Sequence, residues 1–147
     1  MGSETDLARR IDVIERSYEY LLAYAAQGRQ DDRGTEARER LTAMYEALRG
    51  FGDQAGRALG VVAGAVGEEA ADLGAFVDAV ARDAEVARGA VSLVLRRAAI
   101  PSLLVDNLNA SVHVRALLTD AFLLEQALRS VPAAEHGQVQ LSGSTPK

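Results

Sequence analysis

Few residues in this chain are of a type and spacing that does chemistry. The 147 residues hold two histidines, His113 and His136, and no cysteine. His113 follows Asp106 by seven residues and Asn109 by four, and precedes Asp120 by seven. On a helix these spacings put all four on one stripe. Such a stripe can move a proton or orient a ligand. The plainer reading, a solvated polar edge or a histidine hydrogen-bonded at a helix interface, is the expectation. Tyr20 and Tyr24 share a second face, offset from Tyr18. They would line a ligand pocket or anchor a partner, or sit as core or boundary residues with their hydroxyls at the rim. Asn107 falls on the apolar seam of the last helix. Buried, it would fix register or oligomeric state; near the helix start it would be exposed.

Other chemistries lack their residues. A di-iron bundle needs Glu-x-x-His pairs, and neither histidine follows a glutamate by three. A haem held by His113 has no further support. Without cysteine, disulfides, thiolate metal sites and iron–sulfur clusters are excluded. Asp31 and Asp32 fall in a polar loop, Glu68 and Glu69 at a helix start, and Arg96 and Arg97 at a helix end. These are ordinary placements for turns and helix dipoles. No nucleophile–base pair, phosphate loop or dinucleotide fingerprint is visible. The expectation is a non-enzyme with no catalytic residue, metal ligand or cofactor assigned.

One feature of the elements is unusual. Gly52, Gly56, Gly60 and Gly64 recur at every fourth position, forming one ridge along a helix. Each costs roughly 0.5–1 kcal/mol relative to alanine in a helix. Close approach of another backbone offsets such a cost. The ridge therefore reads as a helix-packing or oligomer interface by the small-xxx-small mechanism. Packing within the monomer and a groove open to a flat apolar ligand are the competing readings.

The helices that position these residues follow from heptad-like seams. Leu7, Ile11, Ile14, Tyr18, Leu21 and Ala25 predict a first helix from about Asp6 to Gln27, stopped at Gly28. Thr35 is a cap for the second, with Glu36 in its first turn. Leu41, Tyr45, Leu48, Gly52, Ala55, Leu59, Val62 and Val66 keep phase through Gly50–Gly52, which predicts one long helix over 35–66, bent at the glycines. The alternative is a break there, with Asp53 capping a new helix. Leu73, Val77, Val80, Ala84, Ala87, Val91, Val94 and Ala98 predict a third helix that ends before Pro101. Pro101 opens a fourth, lined by Leu103, Ala110, Val114, Leu117, Ala121, Leu124 and Leu128 and widened by Leu104, Leu108, Val112, Leu118 and Phe122. The fold expected is all-α: an up-down-up-down four-helix bundle with long helices over 1–131, and a flexible C-terminal tail over 132–147. In the tail, Val139 and Leu141 alternate with polar neighbours, so the segment reads as a solubilising end or as a strand-like anchor on a partner.

Composition narrows the functional classes. The net charge is −5, against a nucleic-acid surface. Basic residues are almost all arginine, with Lys147 the only lysine, consistent with a bacterial genome of high G+C content. The N-terminal stretch has no apolar h-region and no run reaches membrane-spanning length, so a soluble cytoplasmic chain is expected. The leading expectation is a non-catalytic accessory, assembly or regulatory subunit. It would bind a protein partner through helical faces and self-associate as a homo-oligomer. A second is an amphipathic protein coating a lipid or polymer granule; in general composition the chain is similar to the granule-coating phasins. A third is a small-ligand-binding bundle or minor enzyme using His113 and the tyrosines.

Overall fold

The computed structural model describes residues 2–63 and 68–129. Six helices make up these residues: α1 (Gly2–Ala25), α2 (Ala37–Leu48), α3 (Phe51–Ala63), α4 (Glu68–Leu95), α5 (Ser102–Ala110) and α6 (Val112–Arg129). No strand occurs among the described residues. The all-α class holds. The four-helix count and the simple up-down-up-down path do not, because two of the expected long helices are broken. The expected tail, His136, Gly64 and Gly67 lie outside the described residues.

The first break replaces the single helix over 35–66. Arg49 is extended, with φ −66° and ψ 126°, and ends α2. Gly50 then takes φ +67°, a conformation that costs a side-chain-bearing residue roughly 1–2 kcal/mol. The sequence alternative located this break correctly, but Asp53 lies in the first turn of α3 and does not cap it. Thr35 fares better. Its hydroxyl accepts the Ala37 N–H at 3.2 Å and donates to the Asp32 carbonyl at 2.7 Å. The second break falls at Ser111, which is extended at φ −58° and ψ 131°. It rotates the phase of the apolar stripe. Val105, Leu108 and Asn109 are buried in α5, while Leu103, on the expected seam, is 70% exposed. Beyond the break the expected positions Val114, Leu117, Ala121 and Leu124 are all buried.

The two long helices carry the assembly: α1 and α4 each pack on all four short ones. The core of α1 is Leu7, Ile11, Ile14, Ser17, Leu21 and Tyr24, so the stripe drifts inward from the expected Tyr18 and Ala25, which are half-buried. The α4 core, Val80, Ala84, Ala87, Val91 and Val94, follows the expected seam; Leu73 and Val77 are half-buried and Ala98 is exposed.

Arginines from neighbouring helices satisfy two helix ends. Arg10 of α1 donates to the carbonyls of Ala47 and Arg49, closing α2. Arg38 of α2 donates to the carbonyls of Leu95, Arg97 and Ala98 at 2.9–3.2 Å, closing α4. These carbonyls have no partner within their own helix, and the positive charge also complements the negative end of the dipole.

Candidate functional site

Three arrangements stand out from the packed helices. The first is a polar clasp between the loop after α1 and the loop after α4. Tyr24 is fully buried, and its hydroxyl lies 2.6 Å from the Ile100 carbonyl, which takes its proton, and 3.0 Å from that of Asp31. Ser102 donates to the Tyr24 carbonyl at 2.7 Å and accepts the Arg29 N–H at 2.9 Å. The Ser102 N–H donates back to the Arg29 carbonyl at 2.9 Å. Asp32 accepts the Ile100 N–H at 2.9 Å and the Arg38 guanidinium at 3.1 Å. Burial pushes the Asp32 carboxyl up, but these two donors outweigh it and hold the carboxyl below its ordinary value. Apart from the Asp32–Arg38 ion pair, these polar groups are directed at backbone, so the clasp positions loops and leaves little for a ligand.

The second arrangement is the glycine ridge, which divides along its length. Gly52 packs against α4 so closely that a Cβ there would lie 2.6 Å from the Ala81 Cα. At Gly56 a Cβ would meet Val77 at 3.3 Å. At Gly60 it would meet nothing within 4 Å. Four residues forward on α3 match four residues back on α4, so the two helices are antiparallel and diverge toward Gly60. The divergence opens a groove of about 290 Å³ lined by Gly56, Leu59, Gly60, Leu73, Gly74 and Val77, with Asp78 at its edge. Gly74, on the α4 side, also has open space where a side chain would be.

The third arrangement belongs to α6. Asp120 meets Asp83 of α4, and one Asp120 carboxyl oxygen is buried without a hydrogen-bond partner. Burial, then the adjoining Asp83 carboxyl, push Asp120 up to about 7. On the other flank, Glu125 meets Glu15 of α1. Both line a cleft of about 330 Å³ with Tyr18, Glu19, Phe122 and Gln126. Burial first, then Glu125, Asp12 and Glu19, push Glu15 up to about 6. Neither pair was visible in the sequence, because the partners are 37 and 110 residues apart. Helical periodicity relates only near neighbours.

The residues singled out from the sequence are mostly separated. Tyr20 and Tyr24 do stack, with centroids 6.4 Å apart. The Tyr20 hydroxyl accepts the Glu36 N–H at 2.9 Å, and its ring carries the Arg40 guanidinium at 5.3 Å. His113 is exposed near the start of α6. The expected stripe of Asp106, Asn109, His113 and Asp120 is cut by the Ser111 break: Asp106 and His113 are exposed, Asn109 is buried and Asp120 is half-buried. Asn107 is exposed, which removes it as a buried register residue. That position belongs to Asn109, whose amide donates to the Leu21 carbonyl at 3.2 Å. Among the described residues no group of three or more histidine, aspartate or glutamate side chains is placed to hold a metal ion, and no helix is long and apolar enough to cross a membrane.

No protein-family model matches the chain, and neither a curated protein nor a solved structure shows significant similarity to it.

Proposed function

We propose that the chain is a non-catalytic helical interaction module that self-associates through the groove between α3 and α4. The observation that carries this reading is the open space at Gly60 and Gly74, flanked by the half-buried Leu59, Leu73 and Val77. Helix glycines are destabilising unless something approaches them closely. Gly52 has that neighbour in Ala81, and Gly60 has none among the described residues. A second copy supplies it economically. The same surface presents both the bare backbone and the leucines that would cover a partner's bare backbone, as an isologous two-fold contact requires. Asp78 is the one charged side chain among the described residues that line the groove.

Light scattering across a concentration series tests the reading. The wild type is expected to be a dimer. Gly60→Leu fills the groove, and is expected to give a monomer with unchanged helical circular dichroism. A wild type that stays monomeric into the millimolar range, or a Gly60→Leu variant that dimerises as well as the wild type, overturns it.

A further inference from the structure

We propose that α6 is a pH-released element, held down when the carboxyl pairs on its two flanks each share a proton and loosened when both pairs ionise. This goes beyond the self-association reading and does not depend on it. The geometry comes first. The core-facing residues of α6, Val114, Leu117, Leu118, Ala121 and Leu124, are buried and bind it to the rest of the molecule. Its flanks carry the opposite tendency: on the α4 side one Asp120 oxygen is buried beside Asp83, and on the α1 side Glu125 and Glu15 line one cleft. Two carboxyl groups make a hydrogen bond only if one of them keeps its proton; ionised, both are acceptors and repel. The buried Asp120 oxygen, without a donor from the rest of the protein, leaves that proton as its available partner.

Among the described residues no cation relieves Asp120, and on the other flank Arg129 bonds Glu125 at 3.1 Å, which keeps Glu125 ionised and leaves Glu15 as the member that holds the proton. Asp83 from α4 is the only charged group acting on Asp120 among the described residues of the helices that pack on α6. Glu15 is acted on by Glu125 from α6 and by Asp12 and Glu19 from its own helix, all anionic. Arg16 is engaged by Asp12 at 2.9 Å. The connection also suits release. α6 joins α5 through the single extended residue Ser111, so it can swing without unwinding its predecessor. The positions of Asp120 and Glu15, at about 7 and about 6, put the transition just below neutrality. Lifting α6 would uncover its apolar face together with the parts of α1 and α4 beneath it.

Hydrogen exchange of the full chain, expressed as protection factors to remove the intrinsic base catalysis, tests the proposal. Opening releases two protons between roughly pH 5 and pH 6 and one between about pH 6 and pH 7, so α6 protection falls by up to about a hundredfold per pH unit over the first interval and about tenfold over the second, with a plateau above. Protection in α2 is expected to stay constant for amides that exchange by local opening, since only global unfolding couples them to these carboxyl groups. The double variant Asp120→Asn with Glu15→Gln fixes each pair at a single negative charge, with an amide donor where the shared proton was, and is expected to hold α6 protection level with pH. Should that variant fold poorly, Asp83→Asn tests the same pair from the α4 side and is expected to weaken the dependence. Three results overturn the proposal: α6 protection that does not vary with pH, loss of protection shared equally by all helices, or a slope that survives these variants.

Discussion

The Tyr24 hydroxyl shows how a residue of chemical type can be wholly structural. Its proton goes to a buried carbonyl at 2.6 Å, and burial holds the phenol above its ordinary pKa despite the opposing influence of Arg29. Tyr24→Phe leaves the Ile100 carbonyl without this donor inside the clasp. A loss of about 1–2 kcal/mol in urea unfolding is expected, with no change in helical content. The glycines give a paired test of opposite sign. Gly52→Ala puts a Cβ onto the Ala81 backbone, so α3 must shift, and overpacking of this kind costs about 1–3 kcal/mol. Gly60→Ala meets open space within a helix of the single chain and is expected to stabilise the monomer by about 0.5–1 kcal/mol, measured at concentrations too low for association. Equal effects at the two positions would contradict the divergence of α3 from α4. The regular spacing of the four glycines was legible in the sequence. The different neighbours of Gly52, Gly56 and Gly60 were not, since these depend on how far α4 stands from each.

At the scale of elements, the sequence announced what local chemistry controls. Gly28, at φ +66°, lies just beyond α1, and Pro101 caps α5 as expected from its missing N–H and fixed φ. The α4 seam was correct from Val80 to Val94 because an unbroken helix keeps its phase. Both errors have one origin. A hydrophobic repeat that continues in step conceals a break between its halves, as Leu48, Gly52 and Ala55 do across Gly50. The Ser111 break lacks even a glycine; its one local signal is a serine immediately before the first residue of α6, a favoured capping type. The break decides which side chains reach the interior, placing Asn109 inside and Leu103 outside. Gly50→Ala is expected to lower stability by about 1–2 kcal/mol, since alanine resists the positive φ that the turn demands. A thermal melt of the variant measures this, and an unchanged midpoint would mean that the turn relaxes freely.

For the whole molecule, the carboxyl groups divide into two sets with opposing effects on stability. Asp32 is held below its ordinary value of 3.8, so its contribution is present above that pH and is lost as the medium becomes more acid. Asp120 and Glu15 are raised from 3.8 and 4.5, so the folded state holds their protons more tightly than the unfolded chain does. Their contribution is complete below those ordinary values. It drains away as pH rises, through about 6 for Glu15 and about 7 for Asp120. The two limbs meet on the acid side of neutrality. Melting temperature is therefore expected to peak at roughly pH 4–5 and to fall toward about pH 7, whereas many proteins are most stable between about pH 5 and 8. Each set can be removed separately. Asp120→Asn is expected to flatten the limb toward neutrality while leaving the acid limb in place. Asp32→Asn is expected to weaken the acid limb and also to lower stability at all pH values, because Arg38 loses its charged partner beside the end of α4. Thermal melts across this range distinguish the two effects. A wild-type midpoint that climbs steadily from about pH 4 to pH 7 would mean that the carboxyl pairs beside α6 are relieved by some rearrangement of their helices, and that the acid clasp alone governs the response.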